Sequence, residues 1–364
     1  MKILAIETSC DDTCISVVEN NKILSNLVSS QEKIHAQYGG VFPSLAKREH
    51  QTNIVPLLIK GLKQSKSLIK GKGDEKKIKK VEKILERNPE LFNNLKPLLE
   101  NYKIKGIDRI AVTIGPGLEP CLWVGVNLAK ALCFYFNIPA IKVNHIEGHI
   151  VSSLINNKKK INYPAIALIV SGGNTQLILI KDKYKIIGET RDDAAGECLD
   201  KTARILGLGY PGGREIAKYA EKFKKSKYNI KLPRPMIYDK NLDFSFSGLK
   251  TAVLYEIQKQ KNIDEEYKIE MAHEIQNAVV DVLLKKTLNA FKKYKVNTLL
   301  LGGGVSANKE LRRRLKKEFK DNCFFPQLKF SMDNATMIAF AGINSKKEVK
   351  WDKLKVNSNL KING

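Results

Sequence analysis

The feature of the sequence that most constrains the fold is a strand–turn–strand–turn–strand pattern that occurs twice. In the first copy, Lys2–Glu7 is an apolar run, and residues 13–19 and 23–29 form two more strands after polar turns. The second copy begins with the apolar run Ala165–Val170 and continues in the same order through residue 188. A unit that recurs once in each half predicts an α/β fold with two lobes, each built on a duplicated β-meander followed by helices.

Helical segments follow both copies. Apolar residues recur at helical spacing in residues 42–63, 118–137, 144–154 and 269–294. We expect a first lobe over residues 1–144, a second lobe over residues 145–340, and a C-terminal helix end and basic tail over residues 341–364 that frays.

Residues 64–103 interrupt the pattern because they are rich in lysine and glutamate. One amphipathic helix is predicted there through Ile78, Val81 and Leu85, and it is expected to end at Asn88-Pro89. We interpret the segment as a surface insertion in the first lobe.

Composition excludes several classes of protein. No apolar run approaches the roughly 20 residues that span a bilayer, and the N-terminus lacks the pattern of a signal peptide, so we expect a cytoplasmic protein without a membrane partner. The six cysteines are scattered and form no Cys-x-x-Cys pair, which predicts free thiols and argues against a zinc ribbon.

The charge balance is strongly basic, with 63 Lys and Arg against 38 Asp and Glu, a formal net charge of +25. Such an excess attracts polyanions, of which nucleic acid is the commonest. A lysine-rich but merely solvated surface would give the same balance, so charge alone leaves both interpretations open.

Two predicted turns contain residues suited to phosphate binding. Residues 8–13 supply hydroxyls and carboxylates, and residues 171–175 supply a hydroxyl and two glycines. A tight turn between antiparallel strands exposes several backbone N–H groups, and small residues let a phosphate approach them. Each turn alone is also typical of a plain hairpin. Their equivalent positions in the duplicated units favour a phosphate held between the lobes.

A glycine-rich turn, residues 302–304, follows a predicted strand and precedes a helix that Ser306 or Asn308 can cap. Two interpretations are open: a shelf for adenine or ribose, or a turn whose glycines serve packing. If the backbone lies against phosphate and adenine, Gly172 and Gly303 should tolerate no side chain.

The sharpest local signal is His145-Ile146-Glu147-Gly148-His149. Residues four apart on a helix point about 40° apart, so both histidines can share a metal ion. A metalloprotease helix would need Glu next to the first histidine. Glu147 instead points about 200° away from His145, which disfavours a protease.

Asp333 precedes an apolar helical segment and is expected to be its N-cap. A capping aspartate keeps one carboxylate oxygen free, so capping and metal ligation are compatible.

Taken together, the motifs resemble the tRNA threonylcarbamoyladenosine biosynthesis transferase family, and its bacterial and organellar branch in particular. The resemblance lies in residues 6–13, 35–41, 48–50, 144–149, 170–175, 192–197, 200–202, 210–213, 244–250 and 302–308. It implies a two-lobed actin-like, sugar-kinase-like ATPase fold. It also implies that His145, His149 and Asp333 hold one divalent metal ion per subunit, Fe²⁺ or Zn²⁺.

The nucleotide-binding positions of the family fall on residues of the second lobe. They are Ile169, Val170, Ser171, Gly172, Gly173, Asp200, Gly213 and Asn308. Two residues depart from the family pattern. Ala217 stands where some members have an acidic residue near the ribose, and Asn174 stands where many bacterial members have His.

The activity that the resemblance implies is transfer of a threonylcarbamoyl group from threonylcarbamoyl-AMP to N6 of adenosine 37 of tRNA, with release of AMP. The tRNAs concerned read codons that begin with adenine. Asp11 or Asp12, near the first turn, could accept the proton of the attacking amine. The implied protein partners are an inactive paralogue of the same fold and a small P-loop ATPase.

Two other classes stay open: a small-molecule kinase of the same fold and a nucleotide-gated binding module of the chaperone type. A kinase would have no use for paired histidines, and a chaperone-type module would need a separate substrate domain. For tRNA contact we expect a basic face on a helix after residue 308, together with the lysine run at residues 76–83.

Overall fold

The computed structural model describes residues 1–157, 159, 161–345 and 347–362, which form two compact units. Unit 1 comprises Met1–His35, Val41–Ser152 and Asp333–Lys361. Unit 2 comprises Ala36–Gly40 and Ser153–Met332, together with Ile362. The units differ from the predicted lobes, because residues 145–152 and the segment after residue 332 pack with the N-terminal part of the chain.

The strands follow the apolar runs of the sequence. They are β1 (Lys2–Glu7), β2 (Asp12–Glu19), β3 (Lys22–Ser30), β4 (Leu68–Lys70), β5 (Tyr102–Ile104), β6 (Arg109–Gly115), β7 (Ala140–Asn144), β8 (Ala165–Val170), β9 (Thr175–Ile180), β10 (Tyr184–Glu189), β11 (Thr298–Gly302), β12 (Cys323–Phe324) and β13 (Glu348–Val349). Both predicted meanders are confirmed, as β1–β3 and β8–β10.

The helices occupy the segments with helical spacing and several more. They are α1 (Glu32–Ala36), α2 (Pro43–Gln64), α3 (Glu75–Ile84), α4 (Pro89–Asn101), α5 (Glu119–Phe136), α6 (His145–Ser152), α7 (Ala195–Ile205), α8 (Gly212–Ala220), α9 (Ser247–Gln258), α10 (Glu265–Tyr294), α11 (Lys309–Phe319) and α12 (Ala335–Asn344). No described helix is both long enough and apolar enough to cross a lipid bilayer.

The sheet of unit 1 has six strands in the order β13-β7-β6-β1-β2-β3. Strands β1, β6 and β7 are parallel, with Ile6 opposite Val112 and Gly115 opposite Asn144. Their carboxyl ends therefore meet at one edge of the sheet, where α/β proteins commonly bind ligands.

The sheet of unit 2 has five strands in the order β10-β9-β8-β11-β12. Strand β11 is parallel to β8, and Gly302 lies opposite Ile169. The turn after β8 and the turn after β11 consequently leave the sheet side by side.

We had expected the segment between residues 64 and 103 to be a surface insertion. The structure shows that part of it belongs to the core. Ile78 and Val81 of α3 and Leu95 of α4 are buried in the same hydrophobic core as the first sheet. Helix α3 ends at Ile84, before the expected end at Asn88-Pro89. Asn88-Pro89 is instead the start of α4, because proline is well suited to the first position of a helix. Leu91 and Leu95, four residues apart, mark the buried stripe of α4.

The expectation that the C-terminal tail frays is wrong for the residues that the structure describes after 345. Strand β13 pairs with β7, and Leu354 is fully buried in the core of unit 1. The N–H of Asn357 donates to the carbonyl of Ile114 at 2.8 Å, and the N–H of Gly117 donates to Ser358 at 3.1 Å. The polar, basic composition of the tail gave no indication of these few contacts with unit 1.

Two glycines for which we expected the same role have different surroundings. Gly303 has a φ of +87°, and a Cβ there would lie 2.3 Å from the carbonyl oxygen of Val170. Packing against β8 and backbone conformation therefore require glycine at this position. At Gly172 and Gly173 no heavy atom of the described chain lies within 4 Å of an added Cβ.

We predict that Gly303→Ala destabilises the protein by more than about 2 kcal/mol, because the side chain meets backbone at a positive φ. Gly172→Ala is the matched control and should change stability by less than about 0.5 kcal/mol. Urea unfolding of the two variants measures the difference. Equal midpoints would contradict the requirement for glycine at position 303.

Candidate metal centre

Three parallel strands of unit 1 deliver polar side chains to one place. Glu7 is the last residue of β1, Thr113 lies on β6 beside it, and His145 directly follows β7. The Oγ1 of Thr113 donates to Oε2 of Glu7 at 2.6 Å, and Nδ1 of His145 lies 3.0 Å from the same oxygen. The strand pairing thus builds a buried cluster from residues that are far apart in sequence.

The two histidines of the sequence signal lie on α6, as predicted. Their ring centroids are 4.5 Å apart, with the ring planes at 79° to each other. His149 is fully buried and His145 is 6% exposed. Position i+4 brings the second ring over the same face of the helix as the first.

Asp333 joins the histidines, although it does not cap the helix as we had expected. The N-cap of α12 is Asn334, whose side chain accepts a hydrogen bond from the N–H of Met337 at 3.0 Å. The Asp333 carboxylate is left to face α6: its Oδ1 lies 3.2 Å from Nε2 of His149 and 3.7 Å from Nε2 of His145.

Gly148 explains how α12 comes so close to α6. A Cβ at this position would lie 2.9 Å from Cδ1 of Ile338 and 3.1 Å from Cγ of Met337. The glycine between the histidines is therefore a packing residue that lets the helix following Asp333 approach them. Gly148 was part of the sequence motif, but the need for glycine at this position depends on the packing of α12.

The three side chains fit a metal ion. One ligand atom from each of His145, His149 and Asp333 can be chosen so that all lie within 4.8 Å of one another. Ligand atoms about 2.1 Å from a tetrahedral metal are about 3.4 Å apart, close to the two nitrogen–oxygen separations found here. Neither ring nitrogen of His149 has a well-directed hydrogen bond to a described residue, although Asp333 is near. A buried imidazole whose nitrogens lack a hydrogen-bond partner calls for an explanation, and an ion held by the ring provides one.

The charges of the cluster are strongly coupled. Burial lowers the pKa of His145, but the carboxylates of Asp333 and Glu7 outweigh burial and raise it to about 9. Burial raises the pKa of Asp333, yet the two histidines bring it down to about 2. Burial and the neighbouring charge of His145 lower the pKa of His149. The site therefore holds carboxylate charge that only a cation beside it can balance.

Sequence analysis missed three residues of this cluster: Glu7, Ser9 and Thr113. The Oγ of Ser9 lies 3.1 Å from Nδ1 of His145, and its N–H donates to Oε1 of Glu7 at 2.5 Å. Glu7 and Ser9 belong to a motif that we had noted, but Glu7 is 138 residues from His145. Only the order of strands in the sheet could have linked them.

Asp11 and Asp12 lie in the β1–β2 turn and at the start of β2. Asp12 is 9% exposed, and its Oδ1 has no hydrogen-bond partner among the residues described. Burial first, then the negative charges of Asp333 and Asp11, raise the pKa of Asp12 to about 7. Burial also raises the pKa of Asp11. Both carboxylates are thus near enough to Asp333 for mutual repulsion.

The residues expected to bind nucleotide all lie in unit 2. Ile169 and Val170 end β8 and are fully buried, and Ser171, Gly172 and Gly173 form the turn to β9. The N–H of Ser171 donates to the carbonyl of Asn174 at 2.8 Å, which closes this turn. The turn is therefore preformed, with its two glycines exposed.

Helices α7 and α8 approach the same turn. The N–H of Gly196 donates to the carbonyl of Ser171 at 3.2 Å, at the start of α7. Farther along α7, Asp200 accepts a hydrogen bond from the N–H of Gly213 at 3.3 Å. Asn308 caps α11 by accepting from Leu311 at 2.9 Å, as one of the two predicted caps. These helices arrange the expected residues around the ends of β8 and β11.

Comparison with known proteins agrees with this arrangement. A family model described as tRNA N6-adenosine threonylcarbamoyltransferase matches residues 22–70 and 90–340, which leaves α3 outside the match. A protein of that name from Persephonella marina is 44% identical over 357 residues, covering 96% of this chain and 91% of the relative. One from Thermosipho africanus is 43% identical over 371 residues and covers both chains fully.

Among solved structures, HypF of T. kodakarensis superposes with a TM-score of 0.52 at 10% identity, covering 94% of this chain and 47% of that one. At such low identity the likeness concerns the fold alone. It confirms the actin-like, sugar-kinase-like α/β fold that the resemblance implied. The breadth of the family match and the identity to full-length relatives show that this chain belongs to the tRNA N6-adenosine threonylcarbamoyltransferase family.

Proposed function

We propose that this chain transfers the threonylcarbamoyl group of threonylcarbamoyl-AMP to N6 of adenosine 37 of tRNAs that read codons beginning with adenine. The bond between the carbamoyl carbon and the phosphate oxygen breaks, AMP leaves with the electron pair, and a C–N bond forms. The observation that carries the proposal is the group of two buried histidines, His145 and His149, with the half-buried Asp333, in a chain of this family. A tRNA substrate would place the reaction in the cytoplasm.

A divalent cation held by His145, His149 and Asp333, Fe²⁺ or Zn²⁺, would make the carbamoyl carbon more electrophilic and balance charge on the departing phosphate. The donor set of two imidazoles and one carboxylate suits either ion. The protein contributes burial, which excludes water from the ligands and strengthens the charge interactions.

Asp12 is the residue of the chain best placed to accept the proton of the attacking amine. Its Oδ1 has no hydrogen-bond partner among the described residues, so no neighbouring donor competes for this oxygen. Asp11 is the alternative, because it adjoins Asp12 in the same turn. A carboxylate whose pKa lies near neutrality is suited to proton transfer at neutral pH.

The Ser171-Gly172-Gly173 turn supplies a site for the nucleotide part of the substrate. Both glycines leave their surroundings open, and the turn lies beside the start of α7. Open backbone with N–H groups at a helix start favours an anion such as the phosphate of AMP. Asp200 and Gly213 would then lie farther along the nucleotide, with Asn308 on the neighbouring turn.

The protein partners remain part of the proposal. A small P-loop ATPase and an inactive paralogue of the same fold would assist the reaction, as the resemblance implies.

The competing function is a small-molecule kinase of the same fold, and it makes a different use of nucleotide. A kinase would hydrolyse or transfer the γ-phosphate of ATP without any need for a metal at His149. The transferase needs no ATP once threonylcarbamoyl-AMP is supplied. The two functions can therefore be separated in one assay with purified components.

We predict that His149→Ala lowers metal affinity on the order of a hundredfold or more, because a three-ligand site cannot lose a nitrogen without losing the ion. Formation of the modified nucleoside from threonylcarbamoyl-AMP and tRNA should fall to background with it. Metal content is measured by elemental analysis and the nucleoside by mass spectrometry of digested tRNA. His273→Ala, a half-buried histidine of unit 2 on α10, is the control and should retain both.

Full transfer by metal-free His149→Ala would contradict the role of the metal. ATP turnover by the wild-type chain, without nucleoside modification in the presence of its partners, would favour the kinase.

A further inference from the structure

The most constrained contact in the metal centre is made by a residue that is not one of the three expected ligands. Glu7 is completely buried, and its two carboxylate oxygens face only donors or potential donors. Oε1 accepts from the N–H of Ser9 at 2.5 Å. Oε2 accepts from the hydroxyl of Thr113 at 2.6 Å and lies 3.0 Å from Nδ1 of His145.

An ionised carboxylate can only accept hydrogen bonds. The contact between Oε2 of Glu7 and Nδ1 of His145 is therefore a hydrogen bond only if Nδ1 carries the proton. With the proton on Nδ1, the Nε2 of a neutral ring keeps its lone pair. Nε2 is the nitrogen that faces Asp333, at 3.7 Å from Oδ1.

We propose that Glu7 is a positioning residue that fixes the tautomer and the orientation of His145 so that Nε2 binds the metal. Glu7 does this without being a ligand itself. The inference rests on the proposed metal role of His145, and it adds the residue that selects which ring nitrogen is used. Carboxylates that orient ligating histidines in this way typically change metal affinity 10- to 100-fold when they are removed.

Glu7→Gln is an unusually informative substitution because every partner of the carboxylate is a donor. If the amide oxygen faces Ser9, the amide NH₂ faces Nδ1 of His145 and donates to it, which leaves the proton on Nε2. If the amide is flipped, its NH₂ opposes the N–H of Ser9. The variant has the same size as the native residue, yet it cannot accept a hydrogen bond from the N–H of Ser9 and from Nδ1 of His145 at the same time.

The test is titration of the metal-free protein with Co²⁺, followed by the visible absorption of the bound ion. We expect Glu7→Gln to bind Co²⁺ about 10- to 100-fold more weakly than wild type. Thr287→Val is the matched control, because it removes a fully buried threonine hydroxyl from α10 in unit 2, outside the metal centre. It should stay within about threefold of wild type, since distant sites act independently.

Co²⁺ affinity of folded Glu7→Gln equal to that of wild type would overturn the proposal. If the variant does not fold, the ¹⁵N shifts and couplings of His145 in the Zn²⁺-loaded wild-type protein decide instead. A proton on Nδ1 with metal on Nε2 supports the proposal, and metal on Nδ1 overturns it. Neither readout uses tRNA, so a failure of the proposed transferase activity would be seen separately.

A second inference starts from the charges of α3. Its exposed lysines 76, 79, 80 and 83 recur at spacings of three and four residues, which puts them on one side of the helix. The buried Ile78 and Val81 lie on the opposite side. In the part of the chain that the structure describes, no carboxylate forms an ion pair with Lys76, Lys79 or Lys83. We name these four residues the α3 lysine face.

The basic helix that we first expected to contact tRNA, α11, is different. Its buried stripe consists of Leu311, Leu315 and Phe319. However, Arg312 donates to the carbonyl of Pro326 at 2.8 Å, and Arg314 binds Glu310 at 2.6 Å as well as Asp281. These guanidinium groups already have partners within unit 2, so the arginines Arg312 and Arg314 of α11 are less available to a phosphate.

The α3 lysine face has a defined position relative to the metal centre, because both are attached to α5. Near its start, the carbonyl of Cys121 accepts from Thr8, the neighbour of Ser9, at 2.9 Å. Near its end, the carbonyl of Tyr135 accepts from Lys77 of α3 at 3.3 Å. The fourteen residues between these carbonyls correspond to about 21 Å of helix.

We infer that the α3 lysine face binds backbone phosphates of tRNA about 20 Å from the reacting adenosine. Among the described residues Lys76, Lys79 and Lys83 have no ion pair, whereas Lys80 lies 5.3 Å from the centroid of the Phe134 ring. Cations in such a row suit a phosphate backbone. The inference rests on the proposed function, which supplies the polyanion.

The test is the triple variant Lys76→Glu, Lys79→Glu and Lys83→Glu, with tRNA affinity measured against salt concentration. Each lost phosphate contact should reduce the log–log slope by about 0.7 to 0.9, so the slope should flatten by up to about 2 to 3. Lys292→Glu, Lys293→Glu and Lys295→Glu, at the end of α10, give a control with the same change in net charge. The control should keep most of the slope.

Equal effects of the two triple variants would overturn the inference, because net charge alone would then explain binding. An unchanged slope in the α3 variant would overturn it as well. Metal content should be native in both variants. If the wild-type chain modifies tRNA but the α3 variant binds tRNA normally, the proposed function holds. The α3 lysine face would then have no part in tRNA binding.

Discussion

The parallel pairing of β1, β6 and β7 is the constraint on which the metal centre depends. It brings the carboxylate of Glu7, the hydroxyl of Thr113 and the ring of His145 together at one edge of the sheet. A shift of one residue in this pairing would turn the side chains to opposite faces of the sheet. The fully buried apolar residues of β1, including Ile3 to Ile6, hold the register, so core packing and ligand geometry are not independent.

Sequence patterns predicted those parts of the fold and site whose determinants are local. The spacing of His145 and His149 predicted that they share a face, and alternating strands and turns predicted both meanders. The role of Glu7 depends on strand order across 138 residues, which no local pattern encodes. The cap of α12 was misplaced by one residue, because Asp333 and Asn334 are both good caps and only packing against α6 decides between them.

The two basic helices show why net charge predicts so little about a binding surface. Both α3 and α11 are rich in cations, and their apolar stripes were equally visible in the sequence. The arginines of α11 turn back to carbonyl and carboxylate oxygens of their own unit, whereas three lysines of α3 have no such partners among the residues that the structure describes. Arginine, with five donors on a planar group, is the better residue for such internal bridging, and lysine more often stays hydrated.

The carboxylates of Glu7 and Asp333 lie close to the same histidine ring, so a positive charge between them is electrostatically favourable. Burial lowers the pKa of His145, but the two carboxylates raise it to about 9, so in the metal-free protein the positive charge is a proton on this ring. A group with a raised pKa in the folded state stabilises the fold below its unfolded pKa, and that stabilisation is lost as pH rises towards 9. A divalent ion held at Nε2 would supply the positive charge in place of the proton. Metal affinity should therefore depend on pH, because proton and metal would compete for the same nitrogen.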